Sequence, residues 1–251
     1  MLQSIVNTKE REIKNISLSS LPKRAIPVYP FAERLKSDRL TIIAECKKGS
    51  PSAGVLRADY NAKSIAKVYS DSGASAISVL TDRDYFFGSL SDLSEVATSV
   101  ALPVIRKDFI IDESQIEEAY AYGASAILLI VRILDQKRLG ELFQFAKGKG
   151  LGVLVETHNR EEVERCLSLG IDVIGINTRD LDTFTIHPEL VEELAPLVPK
   201  TKVCVAESGI QGPEDFFQYQ SKVDSVLIGT YFMKQADIAS AFSGLLNKSL
   251  I

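Results

Sequence analysis

Residues 42–52 read Ile-Ile-Ala-Glu-Cys-Lys-Lys-Gly-Ser-Pro-Ser, an apolar run that ends in charged side chains and then in a Gly/Ser/Pro loop. Alternate side chains of a β-strand point to the same face, so Glu45 and Lys47 share one face and Cys46 lies on the other. A single Glu-x-Lys at a strand end is typical of solvated surface. The stretch gains significance because the same arrangement recurs along the chain.

Eight such units follow one another from residue 41, each with a short apolar run, a turn and an amphipathic helical pattern. The predicted strands are 41–46, 76–80, 104–107, 126–131, 152–156, 173–177, 202–206 and 225–228. The predicted helices lie around 61–72, 89–99, 112–122, 135–149, 159–169, 188–196, 213–221 and 235–247. Apolar strands joined by helical crossovers predict a parallel sheet that is buried on both faces.

Two α/β architectures fit this pattern, a closed (β/α)8 TIM barrel and an open doubly wound sheet. The count of eight, the even spacing and the polar strand ends favour the barrel, in which all strand ends converge on one site. No G-x-G-x-x-G follows the first strand, which weakens a dinucleotide-binding sheet. We therefore predict one (β/α)8 barrel domain over 1–251, with the barrel in 41–251 and an N-terminal helical extension in 1–40.

The extension has a helical pattern near 2–15 and a second, short one near 31–36. We expect it to cap the barrel, and a role in the active site is the alternative.

Composition excludes several classes of function. A net charge of −4 with a pI near 5.4 argues against a nucleic-acid-binding surface. Three separated cysteines and two histidines show no metal-ligand spacing, so we expect no metal and no cofactor. We also expect a reduced, cytoplasmic setting without membrane contact, because there is no signal peptide and no apolar run long enough to span a bilayer. A monomer and a homodimer both stay open.

Charged and polar side chains stand at the ends of most predicted strands. They are Glu45, Lys47, Lys107, Glu156, Asn177, Arg179 and Glu207. In a barrel these side chains meet in one pocket, where burial and neighbouring charges shift pKa values. Such a cluster destabilises a fold but suits acid–base catalysis, so we predict an acid–base site.

Small residues follow the last two strands, Ser208-Gly209 after the seventh and Gly229-Thr230 after the eighth. They let backbone N–H groups approach an anion, so we predict a phosphate site and a phosphorylated small-molecule substrate. Tyr231–Met233 would form a short helix behind it. Phe86, Phe87 and Phe109 either line an apolar pocket for a flat ring or pack into the barrel rim. We expect no functional role for His158 or His187, and we expect Cys46 and Cys204 to face the helices.

Four motifs resemble those of the indole-3-glycerol phosphate synthase family: residues 45–52, residues 107–110 with Gln115-Ile116, residues 175–181 and residues 206–210. The similarity covers essentially the whole chain and includes residues 5–12 and 80–89. It implies a (β/α)8 lyase of tryptophan biosynthesis that needs no metal or cofactor. The implied substrate is 1-(2-carboxyphenylamino)-1-deoxyribulose 5-phosphate, which closes to an indole with loss of CO2 and water.

The resemblance also implies roles for individual residues. Lys107 would be the general acid that protonates the ketone oxygen, Glu156 the acid or base of the dehydration, and Glu45 and Lys47 would assist. The residues implied to position the substrate are Ser50, Asn177, Arg179 and Glu207, with Phe109 and Leu128 on the aromatic ring. Those implied to bind phosphate are Lys47, Ser208, Gly209, Gly229 and Thr230. An acid at neutral pH would be a lysine with a lowered pKa.

Gly49 departs from the family, which often has a bulkier residue there, and we expect a more mobile loop. Two rival functions remain. One is a Schiff-base aldolase that uses Lys107 or Lys47, and the other is a phosphate-binding protein without catalysis.

Overall fold

The computed structural model of the protein describes residues 1–51 and 53–247. Eight parallel strands close into a barrel, and the pairing of the last with the first runs from Thr41–Ser225 to Ala44–Ile228. The strands are β1 (Thr41–Cys46), β4 (Ala76–Leu80), β5 (Val104–Lys107), β6 (Ala126–Ile130), β7 (Gly152–Thr157), β8 (Val173–Asn177), β9 (Val203–Glu207) and β10 (Ser225–Ile228). The predicted (β/α)8 barrel is confirmed. Ser52 of the first motif and residues 248–251 lie outside the described residues.

Helices connect the strands on the outside of the barrel. They are α3 (Ala62–Ser72), α4 (Leu90–Ala97), α5 (Glu113–Ala121), α6 (Gln136–Gly148), α7 (Arg160–Ser168), α8 (Glu189–Leu194), α9 (Pro213–Phe217), α10 (Thr230–Met233) and α11 (Ile238–Asn247). The side chains of Asn61, Asp112, Asp135 and Asn159 each accept a hydrogen bond from a backbone N–H of the first helical turn. These caps satisfy donors that have no partner within a helix and so fix where each helix begins.

Three strands differ from the prediction by one residue at one or both ends. β6 ends at Ile130, because Val131 begins a 3-10 turn, and β7 continues to Thr157. β9 runs over Val203–Glu207 and not over 202–206, because the N–H of Lys202 is used in a turn with Pro199. The loop after β1 also holds a hairpin that was not predicted, β2 (Gly49–Ser50) with β3 (Gly54–Val55), since two-residue strands have no readable periodicity.

Strand side chains form two apolar layers that follow the alternation of the strands. The inner layer fills the barrel with Ile43, Ile105, Leu154, Val205 and Leu227. The outer layer packs between strands and helices and contains Cys46 and Cys204, as predicted. Burial raises the pKa of the Cys204 thiol to about 12, so this cysteine stays a protonated core residue.

The N-terminal extension contacts both ends of the barrel. Its first helix, α1 (Leu2–Glu12), is shorter than predicted and ends in a 3-10 turn over Ile13–Asn15. Hydrogen bonds of the first helix reach loops that follow strands, such as Thr8 to Tyr85 after β4. The second helix, α2 (Phe31–Leu35), lies at the opposite end, where a Cβ on Gly152 at the start of β7 would be 2.6 Å from Phe31. The extension therefore covers the base of the barrel and also borders the strand ends. No helix within residues 1–51 and 53–247 is long and apolar enough to cross a membrane.

Candidate active site

A cavity of about 520 Å³ opens at the C-terminal ends of the strands. This volume is typical of sites for small molecules. The predicted site residues that line it are Glu45, Lys47, Ser50, Phe86, Lys107, Phe109, Leu128, Glu156, Asn177, Arg179, Glu207, Ser208, Gly209, Gly229 and Thr230. The fold thus gathers into one place residues that are spread over most of the sequence.

Lys107 ends β5 with its ammonium between two carboxylates. Its Nζ lies 3.6 Å from Glu156 Oε2 and 3.6 Å from Glu207 Oε2. Burial lowers the pKa of the ammonium, but the charges of Glu156, Glu207 and Glu45 outweigh burial and raise it well above its usual value. The expectation of a lowered pKa is therefore wrong. Lys107 is held as an ammonium at neutral pH, which is the form that a proton donor requires.

Glu45 and Lys47 form the second ion pair of the cavity. Lys47 Nζ lies 3.1 Å from Glu45 Oε1, as expected for side chains on one face of a strand. Burial raises the pKa of the Glu45 carboxyl, but the charges of Lys47 and Lys107 lower the pKa by more, so the net shift is downward. Gly229 leaves space for this carboxylate, because a Cβ there would collide with Glu45 Oε1.

Glu207 is the least well compensated of the three carboxylates in the cavity. Within the part of the chain that the structure describes, neither of its carboxylate oxygens accepts a hydrogen bond, and burial with the nearby charge of Glu156 raises its pKa to about 8. Its position depends on Gly175 of β8, because a Cβ on Gly175 would collide with Glu207 Oε1. Burial and the charge of Glu156 thus favour the protonated form of Glu207, whereas the charge of Lys107 favours the ionised form.

The turn after β9 places two consecutive residues in the left-handed region, Ser208 with φ 70° and Gly209 with φ 82°. This conformation is strained for a serine, and such strain is typical of turns that hold a ligand. Next to this turn, after the neighbouring strand β10, Gly229 precedes α10 and Thr230 begins it. The predicted short helix after the last strand is confirmed, and residues of both turns line the cavity.

Asn177 and Arg179 tie down the loop after β8. Asn177 Oδ1 accepts a hydrogen bond from the backbone N–H of Arg179 at 3.0 Å, and Arg179 Nη1 donates to the carbonyl of Phe184 at 3.0 Å. These bonds hold the guanidinium at the cavity wall. Ser50 lies across the opening, on the β2–β3 hairpin.

Aromatic and aliphatic side chains form the remaining wall. The rings of Phe86 and Phe109 lie 6.1 Å apart with their planes inclined by 37°, and Leu128 of β6 borders the same space. Phe87 does not line the cavity, so its inclusion in a ring pocket is wrong. It is 43% exposed and covers Gly49, where a Cβ would be 2.7 Å from its ring. Phe87 thus fills the space next to Gly49 that a bulkier side chain would need.

The cavity carboxylates are paired with lysines and do not converge on a common point. Within residues 1–51 and 53–247, no three His, Cys, Asp or Glu side chains are arranged to hold a metal ion. All three cysteines are buried and free.

The family model for indole-3-glycerol phosphate synthase matches residues 2–245. The chain belongs to the indole-3-glycerol phosphate synthase family. A relative of that name from Leptospira interrogans is 51% identical over 246 residues, which cover 98% of this chain and 96% of the relative. Another from Geobacillus is 44% identical and covers 96% of this chain and 95% of its own.

A solved structure outside the family shares the fold. 3-Hexulose-6-phosphate synthase from Salmonella typhimurium superposes with a TM-score of 0.67 at 13% sequence identity, over 83% of this chain and 97% of the other. At this identity the likeness concerns the barrel alone.

Sequence reasoning missed two features of this family member. His158, for which we expected no role, contacts Glu156: its Nε2 lies 3.4 Å from Glu156 Oε1. The available signal was the spacing Asn159-x-x-Glu162, which predicts a helix N-terminus that holds a carboxylate beside His158. The side chain of His187 is 44% exposed, as expected for a surface residue. In the part of the chain that the structure describes, its one ion-pair contact is with Glu189.

Lys9 of the extension is the second missed feature. Its ammonium is 1% exposed and lies 2.7 Å from Asp82 Oδ2 and 2.9 Å from Asp108 Oδ1. Asp82 accepts hydrogen bonds from the N–H groups of Tyr85 and Phe86, and Asp108 follows Lys107 directly. No local pattern reveals these contacts, because they join residues more than seventy positions apart. Lys9 therefore links α1 to two strand ends that carry the cavity wall.

Proposed function

We propose that this cavity converts 1-(2-carboxyphenylamino)-1-deoxyribulose 5-phosphate to indole-3-glycerol phosphate, with Lys107 as the general acid of ring closure. The observation that carries the proposal is the ammonium of Lys107 between Glu156 and Glu207, at the centre of a cavity with one anion-binding end and one aromatic wall. The reaction makes the chain a carboxy-lyase of tryptophan biosynthesis, in accord with its family.

Ring closure joins the ring carbon that bears the carboxylate to the ketone carbon of the sugar. The ketone oxygen gains negative charge as this bond forms and takes a proton from Lys107 Nζ, so that a hydroxyl results. The ring is left as an iminium-like cation. Glu156 and Glu207, both 3.6 Å from Nζ, keep Lys107 charged and oriented before the transfer.

Decarboxylation follows because the cation is its own electron sink. The bond to the carboxyl group breaks, CO2 leaves, and the electron pair returns to the ring and restores its aromaticity. Positioning is the main requirement of this step. Phe86, Phe109 and Leu128 are proposed to hold the ring, while Ser50, Asn177, Arg179 and Glu207 fix the polar groups of the substrate.

Dehydration needs an acid for the departing hydroxyl and a base for the proton lost from the five-membered ring. We assign the proton transfers of this step to Glu156, with Glu45 and Lys47 assisting. Glu156 Oε2 lies 3.6 Å from Lys107 Nζ, so the acid proposed for ring closure and the group proposed for dehydration stand side by side in the cavity. The lowered pKa of Glu45 keeps that residue an ionised base at neutral pH.

The phosphate of the substrate is placed at the turns after β9 and β10. Ser208, Gly209, Gly229 and Thr230 offer backbone N–H groups there, and Lys47 provides a positive charge from the same cavity.

The proposal is tested by adding the carboxyphenylamino substrate to the purified protein and following the fluorescence rise of the indole product. Folded protein that gives no rise contradicts the function. Borohydride reduction in the presence of substrate tests the Schiff-base alternative, because only an imine to Lys107 or Lys47 would be trapped as a covalent adduct. We expect product without an adduct.

A further inference from the structure

His158 stands directly behind the cavity, between two carboxylates. It follows Thr157, the last residue of β7, and its side chain is 9% exposed. Its Nε2 lies 3.4 Å from Glu156 Oε1 on the cavity side, and its Nδ1 lies 3.4 Å from Glu162 Oε2 on the helix side. The imidazole therefore separates a proposed catalytic carboxylate from one that has no part in the proposed chemistry.

Glu162 is held firmly at the start of α7. Its Oε2 accepts a hydrogen bond from the backbone N–H of His158 at 2.7 Å, and its Oε1 accepts one from Asn159 Nδ2 at 3.1 Å. Burial raises the pKa of Glu162, but the hydrogen bonds from His158 and the charges of His158 and Arg132 lower the pKa by more, so the net shift is downward. An ionised, immobile carboxylate thus anchors the outer side of the imidazole.

The inner side of the imidazole faces an atom that lacks other polar contacts. Within residues 1–51 and 53–247, neither Glu156 Oε1 nor His158 Nε2 has a hydrogen-bond partner. The 3.4 Å ion-pair contact between these two atoms is therefore the main polar contact of each. The other oxygen of Glu156 lies 3.6 Å from Lys107 Nζ. Glu156 is therefore flanked by an ammonium on one oxygen and by the imidazole on the other.

A neutral imidazole does not suit this position. It has one N–H, so one of its two ring nitrogens would direct a lone pair at a carboxylate. In the doubly protonated ring both nitrogens carry a proton, and a positive charge then lies beside both carboxylates. Glu156 and Glu162, each with an oxygen 3.4 Å from a ring nitrogen, favour this form.

We propose that His158 is a positioning residue, an imidazolium between Glu156 and Glu162 that holds the Glu156 carboxylate beside Lys107. Only the expected effect of His158 on the reaction rate rests on the proposed function. The charge state itself is a property of the protein without substrate.

The charges around His158 agree with this assignment. Burial lowers the pKa of the imidazole, but the hydrogen bond to Glu162 and the charges of Glu156, Glu162 and Glu207 raise it above its usual value. The charge of Arg132 also lowers the pKa of Glu162 and so helps to keep that carboxylate ionised beside the imidazolium. Loss of the imidazolium would remove the positive charge next to Glu156 Oε1.

The direct test is a proton NMR titration of the two histidines. The chain has two histidines, and His187→Gln assigns their signals. We expect the pKa of His158 to lie above the usual value for histidine and to fall by about one unit in Glu156→Gln, as removal of a neighbouring charge predicts. Glu162→Gln should lower it as well, from the other side. A His158 pKa that stays unchanged in Glu156→Gln overturns the proposal, whatever the protein catalyses.

The kinetic test compares the pH dependence of kcat in wild type, His158→Gln and His187→Gln. We expect the loss of kcat in His158→Gln to be largest at low pH, where wild type carries the imidazolium, and to become smaller as the pH rises and wild type loses that charge. The His187→Gln profile should match wild type. An even loss of activity at all pH values would indicate a packing role and contradict positioning, whereas a wild-type protein without turnover would instead contradict the proposed function.

Discussion

Lys9 of the N-terminal helix places its ammonium 2.7 Å from the carboxylate of Asp82 in the loop after β4, and both side chains are almost fully shielded from solvent. The same ammonium compensates Asp108, next to Lys107. This contact makes the extension part of the support of the active site, because the two carboxylates that it neutralises order the loops bearing Phe86 and Phe109.

Lys9→Met should destabilise the protein by about 3–5 kcal/mol, the usual cost of leaving a buried ion pair with one partner. Urea unfolding followed by circular dichroism measures this change. Lys14→Met, the same substitution at an exposed position of the extension, should change stability by less than about 0.5 kcal/mol. Equal effects in the two variants would mean that the Lys9 network contributes nothing specific.

Glu207→Gln should stabilise the protein more at pH 8 than at pH 5. The folded-state pKa of Glu207 is raised to about 8 from its usual 4.5. Between these two pH values the folded protein binds a proton at Glu207 that the unfolded protein does not. The stability that this proton contributes to wild type is fully present below pH 4.5 and is lost as the pH rises towards 8. Glutamine mimics the protonated carboxyl at every pH. Thermal unfolding of both proteins at the two pH values measures the difference, and a constant difference contradicts the raised pKa.

Gly229→Ala should lower turnover about tenfold to a hundredfold, because a methyl group at this position displaces the Glu45 carboxylate from Lys47, and small misplacements of catalytic groups have effects of that size. Gly244→Ala is the matched control, since a Cβ there meets no atom within 4 Å. The fluorescence assay compares kcat and KM of the two variants. A Gly229→Ala enzyme with wild-type kinetics would show that the close approach of Gly229 and Glu45 is not needed.

The parts of the fold that were predictable from the sequence are those that depend on the periodicity of side chains along one element or on contacts between residues close in the chain. Glu45 and Lys47 share a face because side chains alternate along β1, and the motifs after the other strands share an end because parallel strands do. Asn61 and Asp112 mark helix starts through bonds to residues two or three positions away.

The parts that were not predictable depend on distances across the fold. The pKa of Lys107 is raised by three carboxylates from β1, β7 and β9. The sequence shows that these carboxylates exist, but it does not show how far they lie from Lys107. Lys9 meets Asp82 and Asp108 only after the extension has packed on the strand ends. Phe86 and Phe87 are neighbours with the same side chain, and only the left-handed backbone at Phe87 sends the second ring out of the cavity.

The most direct test of the account is the turnover of Lys107→Ala on the carboxyphenylamino substrate, measured by indole fluorescence. The variant should lose at least about a hundredfold in kcat, a typical contribution of a general acid, while circular dichroism shows that it remains folded. Lys137→Ala, a change at an exposed position of α6, should keep wild-type kinetics. A loss of less than about tenfold in folded Lys107→Ala would contradict the assignment of the acid and transfer it to Lys47.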